Sequence, residues 1–147
     1  MTRLYLSLFT AAAVAVTIWA FAAGDDPPKV DCSEPEAEAI TLSYSAQIQP
    51  IFDFNCVVCH QTGAANAGLN LETGVSHEQL VERKSTQSEL KLVEPGKLQD
   101  SYLYHKLKGT HLDVGGSGAS MPLGGAQLPE GELELITTWI QECALDN

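Results

Sequence analysis

An all-α fold is predicted by three features of the chain. Apolar residues recur at three- and four-residue intervals in separate segments, Ser, Asp and Pro mark helix starts with Gly109 at a stop, and no run of alternating apolar and polar residues reads as a strand. The chain has 147 residues, room for one ordinary domain of roughly 100–150 residues and not for a second catalytic one. Hydrophobic residues make up 44% and charged residues 18%, so the body should fold around a core rather than stay disordered.

The first helix is expected from about Ala46 into residues 56–60, with Ile48, Ile51 and Phe52 on its apolar face. Pro50 lies in its opening turn, where a missing N–H costs nothing. A short helix around Ser76 to Arg83 turns Leu80 inward. Another starts near Asp100 or Ser101, either a good cap, buries Tyr102, Leu103 and Leu107, and stops at Gly109. The last begins after Leu128, with Pro129 at its first position and Glu130 and Glu132 at the positive end of the helix dipole. It carries Leu133, Ile136, Ile140 and Cys143 on one stripe, with Leu135 and Trp139 alongside. Phe52, Phe54, Tyr102, Tyr104 and Trp139 are read as core packing.

The amino terminus needs separate treatment. Leu4 to Ala23 carry no charge, follow Arg3 and include Ala20-Phe21-Ala22, a small-x-small pattern of the kind signal peptidases cut. The run exceeds the roughly 7–15 residue core of a typical signal peptide and just reaches the ~20 residues that span a bilayer. Residues 1–23 are therefore read as a signal peptide or a membrane anchor through residues 4–23, and the protein as exported or periplasmic. Residues 24–42, rich in Pro, Asp and Glu, read as a solvated linker, and residues 43–147 as the domain.

A formal net charge of −11 excludes nucleic acid as a partner, because neutralising phosphates takes clusters of Lys and Arg. The cations are unevenly placed. Arg83, Lys84, Lys91, Lys97, Lys106 and Lys108 lie in one stretch and none follows. They form either a patch that steers a partner or ordinary solvated faces.

Two of the four cysteines stand in Cys56-Val57-Val58-Cys59-His60, the C-x-x-C-H pattern of c-type haem attachment. Residues three apart on a helical turn share a face, so both sulfurs reach the two vinyl groups on one porphyrin edge. His60 then projects over the ring with a nitrogen for the iron. Rival readings lack their context. A thioredoxin-like pair needs a β-α-β setting, whereas Ile48, Ile51, Phe52 and Cys56 have helical spacing. A structural zinc needs four ligands, and no second C-x-x-C pair follows. A disulfide between cysteines three apart is strained. The expected cofactor is one covalent haem c.

Beyond Met1 in the leader, the only methionine is Met121, in Gly118-Ala119-Ser120-Met121-Pro122-Leu123-Gly124-Gly125. Its thioether is the expected second axial ligand, a soft donor that favours ferrous iron. Gly115, Gly116, Gly118, Gly124 and Gly125 would let the backbone approach the haem face, and Pro122 would stiffen the turn. Were Met121 only filler, His111 or His105 would be the donor. His77, in a polar stretch, is expected on the surface. Cys32 and Cys143 flank the domain of an exported chain and are expected to pair.

The segments Tyr44 to Asn55 with the haem motif, Gly68-Leu69-Asn70-Leu71, Val93-Glu94-Pro95-Gly96 with Ser101-Tyr102-Leu103, Met121-Pro122, and Leu135 to Ile140 together resemble class I cytochrome c domains. The chain is most similar to the single-haem modules of planctomycete-type and related bacterial exported proteins, over roughly residues 43 to 143. The resemblance implies three to five helices around one haem, the first and last crossing near it, with Cys56, Cys59, His60 and Met121 as cofactor-binding residues and His60 and Met121 on the iron. It also implies electron transfer with redox partner proteins, no catalytic residue and no small-molecule substrate. The alternatives are a peroxidase-like haem enzyme with an open sixth position, or a sensor or relay subunit of a larger membrane complex. Family members commonly carry Met-Pro-Pro where this chain has Met121-Pro122-Leu123. No proline follows the haem motif before Pro95, so the carbonyl that would orient His60 has no sequence marker.

Overall fold

The computed structural model describes residues 31–33 and 42–147. The leader read over residues 1–23 and most of the linker lie outside the described residues. Within them the fold is all-α, with four α-helices: α1 (Gln49–Asn55), α2 (Ser76–Leu80), α3 (Tyr102–Lys108) and α4 (Glu130–Gln141). Three isolated bridges, Val81 with Val93, Lys84 with Lys91 and Lys91 with Ser101, fold the α2–α3 connection without building a strand among these residues. Among the described residues no helix is long and apolar enough to cross a membrane.

A π-type turn, Tyr44–Ile48, opens the domain, its Ala46 N–H met by the hydroxyl of Ser43. It leads directly into α1, where Pro50 sits in the first turn as its chemistry requires. The expected continuation into the haem motif does not occur. Helix α1 ends at Asn55, and Cys56 to Cys59 form tight turns. Asn55 offers the backbone a local alternative, its side-chain amide donating to the Ile51 carbonyl at 3.0 Å and to Glu132 at 3.0 Å. The turns are still helix-like, since the N–H of His60 donates to the Cys56 carbonyl at 3.0 Å.

Ile48, Phe52, Leu80, Val93, Ile136, Trp139 and Ile140 form the buried centre. Each large apolar side chain withdrawn in this way stabilises the fold by roughly 1.5–3 kcal/mol. The opening turn packs against α4, with the Tyr44 and Trp139 rings 5.1 Å apart, so the crossing expected of the first helix is made by the turn before it. Phe54 is corrected from core to surface at 86% exposure. Two residues beyond Phe52, it falls on the opposite side of α1. His77 is also corrected: it is half-buried, edge-on to Tyr44, and its Nε2 donates to the Ala144 carbonyl at 2.7 Å.

Helix α3 stops at Gly109, whose φ of +73° a glycine adopts without strain. Ser101 precedes it but does not cap it, because its hydroxyl is committed to the Glu94 N–H at 2.9 Å and the Lys97 carbonyl at 2.9 Å. Pro129 stands just before α4 rather than at its first position. Cys32 and Cys143 are joined in a disulfide across 111 residues, as their flanking positions led one to expect.

Candidate functional site

Helix α1 delivers the chain to Cys56, and the loop beyond His60 folds back on it. The Asn66 side chain donates to the Cys59 carbonyl at 3.0 Å, and the Leu71 N–H donates to the His60 carbonyl at 2.8 Å. Glu72 closes the loop by accepting from the Thr62 hydroxyl at 2.6 Å, the Thr62 N–H at 2.9 Å and the Asn70 amide at 2.9 Å. These donors, the Thr62 hydroxyl first, hold the Glu72 carboxyl below the usual carboxylate range.

The ring of His60 gains its partner from the same loop. Its Nδ1 lies 3.3 Å from the Leu69 carbonyl oxygen. A carbonyl only accepts, so Nδ1 carries the proton and Nε2 keeps its lone pair for a metal. Below the loop, Tyr44 donates to Ser76 at 2.6 Å, Ser76 donates to Gln49, and Gln49 donates to the Leu71 carbonyl at 3.0 Å. That buried polar chain ties the His60 partner segment to the opening turn, α1 and α2.

Met121 comes from the loop after α3, its N–H donating to the Lys106 carbonyl at 2.9 Å. Cys56, Cys59, His60 and Met121 all line one cavity of about 340 Å³. Its remaining wall is largely aliphatic, with Leu69, Leu71, Leu80, Leu92, Leu103 and Leu107. Arg83, Lys84 and Lys106 also reach it, while no Asp or Glu among the described residues does. Lys84 is paired with Glu89 at 3.0 Å, whereas Arg83 donates to the Gly68 carbonyl at 3.2 Å and has a guanidinium that could meet a porphyrin propionate.

The donor set could hold a haem c. Cys56 and Cys59 are free thiols, whereas the other two cysteines are bonded to each other. An imidazole nitrogen of His60 and the Met121 thioether would be available as an axial pair. Burial, with the Glu132 carboxylate and the Cys59 thiol nearby, pushes the Cys56 thiol up to about 11. It is therefore a neutral thiol at neutral pH rather than a reactive thiolate.

No protein family, curated protein or solved structure matches this chain.

The alternative axial donors are not at the cavity. His105 is buried with both ring nitrogens occupied, Nδ1 by the Thr110 hydroxyl at 2.9 Å and Nε2 by the Gln99 carbonyl at 2.9 Å. His111 is buried beside the Met121 loop, with Nε2 on the Gly118 carbonyl at 2.9 Å and Nδ1 unpartnered. Among the described residues no three His, Cys, Asp or Glu side chains gather into a cluster able to hold a metal ion by themselves.

The glycines of the Met121 loop serve a different contact from the one expected. None of Gly115, Gly116, Gly118, Gly124 and Gly125 lines the cavity. Gly116 instead lies hard against α3: a Cβ there would stand 2.5 Å from Tyr102 Cε2 and 2.6 Å from the His111 carbonyl oxygen.

Sequence reasoning missed the Leu69 carbonyl and the separation of the cations. Lys91 pairs with Glu94 at 2.8 Å and Lys97 with Glu94 at 3.7 Å, away from the cavity that Arg83, Lys84 and Lys106 reach. The basic stretch was the visible signal, but its division depends on how the connection folds.

Proposed function

We propose that this protein is an exported monohaem c-type cytochrome with a class I cytochrome c-like fold, and that it passes single electrons between partner proteins. The observation that carries the reading is the convergence of Cys56, Cys59, His60 and Met121 on one apolar cavity. The Cys32–Cys143 disulfide supports an oxidising compartment.

Cys56 and Cys59 would hold the haem through thioethers, each S–H adding across a vinyl group with no net oxidation. His60 Nε2 and Met121 Sδ would take the axial positions. A haem so bound supplies one-electron chemistry, with iron alternating between ferric and ferrous. The chain's own work is to orient His60 through Leu69, to keep water from the ring with its leucines, and to present Arg83 to a propionate. With Met121 at hand for the sixth position, the reading is a carrier rather than an enzyme.

The test is absorption spectroscopy of protein made in a host competent in haem maturation, with a pyridine haemochrome assay and intact mass. Expected are a sharp reduced α-band, a weak near-infrared sulfur-to-iron band in the ferric form, and one haem mass on the peptide holding Cys56 and Cys59. Haem that leaves on acid-acetone extraction, or a peptide without added mass, overturns the proposal.

A further inference from the structure

We infer that Lys106 is the positioning residue for Met121, clamping the ligand loop through both its ammonium and its carbonyl; the inference rests on the haem reading above. Lys106 is only 7% exposed, and no carboxylate among the described residues lies within ion-pair distance of it. A buried cation without a counter-ion is unfavourable unless other dipoles compensate it. Here they do. The ammonium donates to the Ser117 carbonyl at 3.3 Å and to the Ala119 carbonyl, and lies 5.8 Å from the centre of the Tyr102 ring.

The same residue also holds the loop's other end, since its carbonyl accepts the Met121 N–H at 2.9 Å. Segment 117–121 thus leaves and returns to a single turn of α3. Neighbours complete the clamp. The Tyr102 hydroxyl donates to the Ser117 carbonyl at 3.2 Å, and His111 Nε2 takes the intervening Gly118 carbonyl at 2.9 Å. Three successive carbonyls, of residues 117, 118 and 119, are therefore held by side chains from α3 and the turn after it. A leucine at 106 would fill the space as well but would leave the carbonyls of 117 and 119 short of a donor. The ammonium fixes where Met121 sits relative to the cavity.

The test compares ferric holoprotein of the unaltered chain with Lys106→Leu and Lys106→Arg. Imidazole competes with Met121 for the iron, so its affinity reads how firmly the loop is held. Lys106→Leu is expected to bind imidazole about tenfold more tightly or better, the scale of losing hydrogen bonds from a charged group, and to weaken the near-infrared sulfur band. Lys106→Arg, which keeps charge and donors, is expected to restore both toward the unaltered values. If all three proteins bind imidazole alike with unchanged bands, the clamp is overturned.

A measurement on the unaltered holoprotein decides the matter if Lys106→Leu does not accumulate. The Lys106 ammonium is expected to be visible by 15N NMR through slowed hydrogen exchange, unlike that of exposed Lys108; exchange as fast as at Lys108 overturns the clamp. Absence of haem from the unaltered protein is detected before any variant is compared, and it sinks the earlier reading instead.

Discussion

Nδ1 of His60 lies 3.3 Å from the carbonyl oxygen of Leu69, so the ring is oriented by backbone nine residues further along the chain. A hydrogen bond on the far nitrogen raises the basicity of a ligating imidazole. The loop depends on Gly68, whose φ of +71° is in the left-handed region.

Gly68→Ala strains that turn by roughly 1–2 kcal/mol and should displace the Leu69 carbonyl. A less basic imidazole stabilises ferric iron less, so the reduction potential is expected to rise. A shift of about 30–60 mV corresponds to a change of up to tenfold in a one-electron equilibrium. Spectroelectrochemistry reads it; an unchanged or lower potential shows that this carbonyl does not tune the ligand.

Met121→Leu removes the sulfur and keeps the apolar bulk. His105 is fully hydrogen-bonded, neither His105 nor His111 lines the cavity, and the Lys106 and Lys84 ammoniums are engaged by the Ser117 and Ala119 carbonyls and by Glu89, so no histidine there replaces it and the lysines are held elsewhere. The ferric spectrum is expected to become high-spin, the potential to fall, and the near-infrared band to vanish. A low-spin spectrum identical to that of the unaltered protein would remove Met121 from the ligand set.

The features legible in the sequence are those set by local chemistry. Pro50, Gly109 and the apolar stripe of α4 each act within a turn or two, and each element was placed to within a few residues. The haem motif was legible as a spacing, but its helical setting was not, because Asn55 ends α1 through its bonds to Ile51 and to distant Glu132. His77 went the wrong way for the same reason, whereas the exposure of Phe54 follows from the helical period of α1. Burial of a single residue on a short helix is decided by what packs against it, and Tyr44 and Ala144 are far away in the chain. The partner of His60 is a backbone carbonyl, which every residue possesses and no sequence marks.

Breaking the disulfide by Cys32→Ser should destabilise the fold without altering the haem spectrum. It closes a 111-residue separation, for which the chain-entropy model gives about 4–5 kcal/mol, and typical losses are 2–5 kcal/mol. Urea unfolding should show a lower midpoint for the variant, and reductant should lower the unaltered protein to match it. Midpoints that coincide before reduction would show that the bridge contributes nothing.

Tyr44 makes alkaline stability a test of the core. Burial is the largest influence on its phenol, and with Asp146 and Asp53 nearby it is pushed up to about 12 despite the opposing hydrogen bond with Ser76. The folded state therefore retains this proton over a pH range, from about 10 to 12, in which the unfolded chain has lost it. Where the unfolded state binds fewer protons, stability falls as pH rises, so the contribution is whole below about pH 10 and is lost by about pH 12. The loss should be about 1–2 kcal/mol once solvent screening is allowed for. Tyr44→Phe cannot ionise, so its stability should start lower at neutral pH, by about 1 kcal/mol for the missing hydrogen bond, and then decline less steeply. Urea denaturation of both holoproteins at intervals from pH 8 to 12 measures the difference, the thioether at Cys56 having removed its thiol from the titration. Curves that run parallel across that range would mean the phenol titrates alike in both states and is not held by the packing of Tyr44 against Ser76 and Trp139.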